Sequence, residues 1–135
     1  MTSLNRRSLI AAAAAAALLP AAAQAAEFVP YKPGVIQKAL KQGKTVFVDY
    51  GASWCSTCAR QQRVINALRS KNPSYDAAMT FVKVDWDTYK RHEVTTNRGI
   101  PRRSTLIVLK GNQELGRIVA GTSEGAIKAL MDKGL

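Results

Sequence analysis

The run Thr45-Val46-Phe47-Val48-Asp49-Tyr50 is β-branched and aromatic, and apolar on both alternating faces for most of its length. Such a run predicts a central strand buried on both sides. Ahead of it, Val35, Ile36, Ala39 and Leu40 recur at helical spacing and predict a short helix over 33–42, with Pro33 in its first turn and Gly43 as its stop. Behind it, a helix is predicted over about 55–70, with Val64, Ile65 and Leu68 facing inward and Asn72-Pro73 breaking it. A second strand follows over 79–86. Asp87 then suits the cap of a helix that runs to about Asn97 and stops at Gly99. A third strand covers 105–109, and Gly111-Asn112 turns it into a fourth over 114–120. After Gly121, Thr122 or Ser123 caps a last helix, held down by Ala126, Ile127, Leu130 and Met131.

The predicted order is therefore α-β-α-β-α-β-β-α, without repeats or linkers. A βαβ half followed by a ββα half gives an α/β fold, a mixed sheet of four to five strands with helices on both faces.

The first residues follow a different pattern. Arg6 and Arg7 precede an apolar, alanine-dominated stretch over 9–19, then Pro20 and the small residues Ala21-Ala22-Ala23-Gln24-Ala25-Ala26. A positive start, a short apolar core and an A-x-A site make a secretory signal peptide. The expected cut falls before Ala26, leaving residues 26–135 as the one folded domain. Alanine is only weakly apolar and Pro20 interrupts the run, which argues against an uncleaved membrane anchor. Asn5-Arg6-Arg7-Ser8-Leu9-Ile10 also resembles a twin-arginine export signal. Either export route leads out of a bacterial cytoplasm, so the expected location is the periplasm.

Charge narrows the picture less. The formal net charge is +11 over 135 residues. Without Arg6 and Arg7, the only charged residues before Ala26, it is still +9. A basic balance fits nucleic acid, anionic membrane surfaces or acidic protein partners. Here Lys and Arg are scattered, with only short pairs such as Lys90-Arg91 and Arg102-Arg103, and no nucleic-acid motif is present. Solvated surface charge on a monomer that binds no nucleic acid is the expectation.

The chain has two cysteines, Cys55 and Cys58, and one histidine, His92. A disulfide-stapled scaffold needs more cysteines, spread further apart. A C-x-x-C where a strand feeds a helix puts both sulfurs on one helical face, within reach of a small disulfide ring. The first cysteine then sits at the helix N-terminus, where unpaired N–H groups and the helix dipole stabilise a thiolate. Thiolate is the nucleophile of disulfide exchange. Three other readings compete. A structural zinc site wants four ligands, and only two thiols and a distant His92 are on offer. Copper delivery could use two soft thiolates and His92. An inert disulfide over so short a loop would restrain the unfolded chain little. His92, among Lys90, Arg91 and Glu93, is expected at a solvated mid-helix position, and Trp86 is expected to pack at a strand end.

Val46 through Cys58, with Trp54-Cys55-Ser56-Thr57-Cys58 at its end, resembles the active-site strand and loop of thioredoxins. Phe81 through Asp87 is similar to that family's next strand, and 105–110 with 119–121 to its C-terminal hairpin. The resemblance spans roughly 35–135 and implies a thioredoxin fold and a thiol–disulfide oxidoreductase with no bound cofactor or metal. It also implies roles. Cys55 attacks; Cys58 resolves the mixed disulfide; Asp49 is the buried acid beneath Cys58; Lys83 is that acid's basic neighbour. Trp54, Arg103 and Ser104 fall where the family meets its substrate chains. The implied partners are protein thiols and disulfides, and a redox partner either soluble or membrane-bound. A copper metallochaperone on the same two thiols is the alternative.

Two positions depart from the family pattern. Ser104 stands where thioredoxins carry a cis-proline, so either a cis bond survives before serine, at roughly 2.5–4 kcal/mol, or the loop is rebuilt. Ser56-Thr57 replaces the family's usual Gly-Pro, and its hydroxyls are expected to donate to the Cys55 thiolate and make the pair more oxidising.

Overall fold

The computed structural model describes residues 26–135; the predicted leader over 1–25 lies outside them. The central strand is β2 (Thr45–Gly51), every residue of which is buried. It follows the short β1 (Val29–Pro30) and helix α1 (Val35–Lys41). The long helix α2 (Ser56–Lys71) comes next, then a five-residue α3 (Ser74–Ala78) and β3 (Met79–Asp85). Two single-turn helices, α4 (Trp86–Tyr89) and α5 (Glu93–Thr96), lead to β4 (Thr105–Lys110), β5 (Gln113–Val119) and α6 (Glu124–Asp132). The sheet order is β1-β3-β2-β4-β5, with β1 and β2 parallel to β3, and β2-β4 and β4-β5 antiparallel.

Strand alternation divides the core in two. Val46, Val48 and Tyr50 join Val82, Val84, Ile107 and Leu109 beneath α1 and Val94. Phe47 joins Phe81, Leu106 and Val108 beneath Ile65, Leu68, Tyr75, Ile127, Leu130 and Met131 of α2, α3 and α6. Helices thus cover both faces, and Asp49 shares the period of Phe47, on the α2 side. Among the described residues, no helix is long and apolar enough to cross a membrane.

Several expectations change in detail. Two elements were not anticipated. β1 has only two residues, too few for a pattern, and exists because β3 offers it an open edge. α3 follows the Asn72-Pro73 break, where Asn72 Oδ1 accepts from the Ser74 N–H. The single helix expected from Asp87 to Asn97 is split. Its cap is Asp85, which accepts from the Thr88 N–H, and the chain restarts at α5 with His92 as the cap. His92 is therefore not a solvated mid-helix residue: its Nδ1 accepts from Val94 N–H and its ring packs near Tyr31 and Tyr89. Ala126 is exposed, Val64 is only partly buried, and Ser123 rather than Thr122 caps α6. Arg69 is buried as well, its guanidinium 4.1 Å from the centre of the Phe81 ring and bonded to Asp76 at 2.6 Å.

The loop into β4 is rebuilt. No peptide bond among the described residues is cis, and Ser104 takes a left-handed backbone at φ 64°. That region costs a residue with a Cβ roughly 1–2 kcal/mol. Three ties hold it. Ser104 N–H donates to Tyr50 O at 2.7 Å, and Ser104 O accepts from Ala120 N–H at 2.9 Å and from Gln61 Nε2 at 2.9 Å. Proline fixes φ near −65° and has no N–H to give. Ser104→Pro is therefore expected to lose about 3 kcal/mol or more of stability, measured by denaturant melts against wild type. Unchanged stability would mean that neither the left-handed backbone nor the Ser104 N–H bond to Tyr50 O holds this loop.

Candidate functional site

The site forms where β2 ends. Gly51 and Ala52 carry the buried strand outward, and Cys55 becomes the cap of α2, with its Sγ accepting the Cys58 N–H at 3.2 Å. Both cysteines are unbridged and only 4% exposed. Burial pushes the Cys55 thiol up. Hydrogen bonds from the Cys58 thiol, the Ser104 hydroxyl and the Cys58 N–H, with the Arg103 guanidinium, outweigh it and bring Cys55 to about 7. Cys58 moves the other way: burial raises it, and so does its hydrogen bond to Cys55. One helical turn therefore holds an easily ionised thiol beside one that keeps its proton.

The expected hydroxyl donors are not the ones found. Neither Ser56 nor Thr57 hydrogen-bonds Cys55; Ser56 is exposed and Thr57 half-buried at the start of α2. The hydroxyl on the sulfurs belongs to Ser104, with Oγ 3.3 Å from Cys55 Sγ and 3.0 Å from Cys58 Sγ. Ser104 is fully buried, so what it turns towards the chemistry is this hydroxyl. The expected shift towards a more oxidising pair therefore has no Ser56 or Thr57 hydrogen bond behind it.

Asp49 is 1% exposed, and its Oδ1 has no hydrogen-bond partner. Burial raises this carboxyl to about 6, against the lowering influence of Lys83. Lys83 lies opposite Asp49 in the β2-β3 register and donates to Gln62 Oε1 at 3.4 Å. The acid, the lysine and the second cysteine meet around Gly51. A Cβ there would stand 3.2 Å from Asp49 Oδ1, 3.6 Å from Lys83 Cε and 3.7 Å from Cys58 Cβ. Gly51 thus leaves a gap between the acid and Cys58 that any side chain would close.

Trp54 is 59% exposed beside Cys55, its Nε1 donating to Asp87 Oδ2 at 2.8 Å. The Arg103 guanidinium lies 4.4 Å from the centre of the indole ring. This stacks an aromatic face and a cation at the mouth of the site. Trp86 packs against Ala52, Cys55 and Cys58 from the start of α4. For the copper alternative, no group of three or more His, Cys, Asp or Glu gathers among the described residues, and His92 is engaged with its own helix and two tyrosines.

Gln61 is a site residue that the sequence reading missed. It is fully buried in α2, three residues after Cys58, and its Nε2 joins Ser104 O to Gly121 O, each at 2.9 Å. A signal was present. Cys58, Gln61, Ile65 and Leu68 form the inward stripe of α2, and a glutamine in such a stripe needs polar partners.

The sequence profile of the family described as Thioredoxin matches residues 30–133. A Thioredoxin H-type from Fagopyrum esculentum is 32% identical over 88 residues, which are 65% of this chain and 71% of that protein. Thioredoxin 1 of a Nostoc species is 26% identical over 99 residues, 73% of this chain and 88% of its own. Among solved structures, Trxlp of Edwardsiella tarda superposes with a TM-score of 0.67 at 30% identity, covering 77% of this chain and 98% of that one. The chain belongs to the thioredoxin family, and its paired cysteines are those of a thiol–disulfide oxidoreductase.

Proposed function

We propose that the protein exchanges disulfides with exported protein thiols in a bacterial periplasm, with Cys55 as attacking thiolate and Cys58 as resolving thiol. The observation that carries this reading is Cys55 Sγ at the cap of α2, accepting the Cys58 N–H at 3.2 Å with the Ser104 hydroxyl 3.3 Å away. In the reducing direction, Cys55 S⁻ attacks a client disulfide, forming a Cys55–client bond and releasing the other client sulfur as thiolate. Cys58 then loses its proton and attacks Cys55 Sγ. The Cys55–Cys58 bond forms, and the second client sulfur leaves with the electron pair and takes up a proton.

Asp49 is the acid placed to receive the Cys58 proton across the Gly51 gap, and Lys83 keeps its charged form accessible. Trp54 and Arg103 form the rim against which a client chain lies. The electron partner, in solution or in the membrane, meets the same rim. Support for the compartment comes from the leader pattern over 1–25. When the full chain is expressed in a bacterium, the product should begin at Ala26 and appear in the periplasmic fraction. Recovery of an uncut chain from the cytoplasm would remove that part of the reading.

Turnover is tested with a fluorogenic peptide disulfide and excess dithiothreitol. Cys55→Ser should abolish catalysis, and Cys58→Ser incubated with the peptide disulfide without dithiothreitol should accumulate the mixed disulfide. The rate of the first attack should rise with pH through a midpoint near 7, well below the ~8.5 of a free thiol. A midpoint at or above the free-thiol value would leave Cys55 unactivated.

Asp49 should also be visible in stability. Its folded pKa of about 6 lies above the 3.8 of an aspartate in the open chain, so the native state holds this proton more tightly than the unfolded chain. The resulting stabilisation is complete below the unfolded pKa and is lost as pH rises through about 6. Asp49→Asn should therefore be more stable than wild type at pH 8, by up to about 3 kcal/mol, with the gap closing near pH 4. The same variant should slow resolution by Cys58. Denaturant melts at several pH values and stopped-flow traces measure the two effects, and equal stability at every pH would place the carboxylate in solvent.

A further inference from the structure

We propose that the Ser104 hydroxyl is a catalytic hydrogen-bond donor that serves the two sulfurs in turn, a role in the exchange described above that is separate from the proton acceptor Asp49. Four observations support it. Its Oγ lies within hydrogen-bond distance of both reacting atoms, 3.0 Å from Cys58 Sγ and 3.3 Å from Cys55 Sγ. The residue is fully buried, so no bulk water competes for that oxygen. It holds a left-handed backbone at φ 64°, where glycine would sit without cost, yet the chain carries a side chain there. A buried glutamine, Gln61, ties down the Ser104 carbonyl, and Ser104 N–H bonds to Tyr50 O. With the backbone groups engaged, the hydroxyl is free to turn only between the sulfurs.

A hydroxyl has one proton to give and lone pairs to accept another. In the reduced protein, Ser104 O–H and Cys58 S–H both donate to the Cys55 thiolate. Both bonds lower Cys55, while burial and its own bond to Cys55 raise Cys58 against the lowering influence of the same Ser104 hydroxyl. During resolution the hydroxyl turns. Once Cys55 Sγ is bonded to the client, Ser104 O–H donates to Cys58 Sγ, 3.0 Å away, as the Cys58 proton passes to Asp49. Cys58 S⁻ then bonds to Cys55 Sγ, and the client sulfur leaves with the electron pair and takes up a proton from solvent. One disulfide has replaced another, and the hydroxyl keeps its proton throughout.

Two variants remove the hydroxyl with opposite backbone consequences. Ser104→Ala keeps the Cβ, whereas Ser104→Gly relaxes the left-handed backbone and retains every main-chain hydrogen bond. Both should move the Cys55 ionisation midpoint, read by thiolate absorbance, upward towards that of free cysteine. Both should slow resolution of the mixed disulfide at pH 7 on the order of tenfold, the effect expected for loss of a hydrogen bond to a charged group. At a pH where both thiols are ionised, the variants and wild type should converge. If the hydroxyl only shaped the loop, Ser104→Gly would titrate and react like wild type, and that result overturns the proposal. An unfolded Ser104→Gly leaves the decision to Ser104→Ala by the same readouts. Absence of turnover in wild type would sink the exchange reading instead, and the Cys55 titration would still report whether Ser104 holds the thiolate.

Discussion

The site depends on burial of β2 on both of its faces. A strand sealed between two helical layers must be largely apolar, and all but Thr45 and Asp49 of its seven residues comply. The charged exception, Asp49, lies in the half of the core that also holds α2. Because β2 is rigid and central, its end is fixed in space, and the chain can only leave it by turning into α2. The first helical N–H groups then face Cys55, and the second cysteine follows one turn later over the buried acid. Fold and chemistry share this constraint: the burial that orders the strand also raises Asp49 and Cys58, while local hydrogen bonds bring Cys55 down.

The strongest sequence signals were those that repeat. Val46, Val48 and Tyr50 against Phe47 specify a strand with two apolar faces, and Ile127, Leu130 and Met131 specify the stripe of α6. Such patterns survive because burial rewards every position in them. Weaker elements are fixed by neighbours instead. β1 is held by pairing to β3 alone, and the break between α4 and α5 follows from Asp85 and His92 competing as caps, which a reading centred on Asp87 does not see. The Trp54-Cys55-Ser56-Thr57-Cys58 motif gave the thiols and their order. It could not give Ser104 as their hydroxyl partner, because that contact spans 46 residues of sequence from Cys58 and requires the trans, left-handed turn.

Ser104 shows why a departure from a family pattern is worth following to its atoms. The position was legible as an anomaly, since serine stood where the family has a cis-proline. Its consequence was not legible, because two loop conformations fit the same letters. The left-handed turn puts Ser104 Oγ between the sulfurs and leaves Gln61 to satisfy the carbonyl. Ala120, also left-handed at φ 64°, meets that carbonyl from the end of β5. The substitution is thus accompanied by partners on two other elements, α2 and β5.

These features share an energetic sign. A buried carboxyl without a hydrogen bond on Oδ1, a left-handed serine and a Gln61 Oε1 without a partner all oppose folding. Each would be removed by a simple substitution, to asparagine, glycine or leucine, if stability alone shaped the chain. They cluster around the two sulfurs, while the remaining core is mostly apolar, Arg69 and the buried Thr45, Thr95 and Thr105 excepted. The layers beneath α1 and α6 therefore carry the stability that the site gives up. A protein that needed only to hold an inert disulfide or a metal would gain nothing from a strained hydroxyl and a buried acid raised to about 6 beside its thiols. Disulfide exchange is different: a thiol must lose its proton before it attacks, and this site sets a hydrogen-bonding hydroxyl and a buried carboxyl beside the sulfurs.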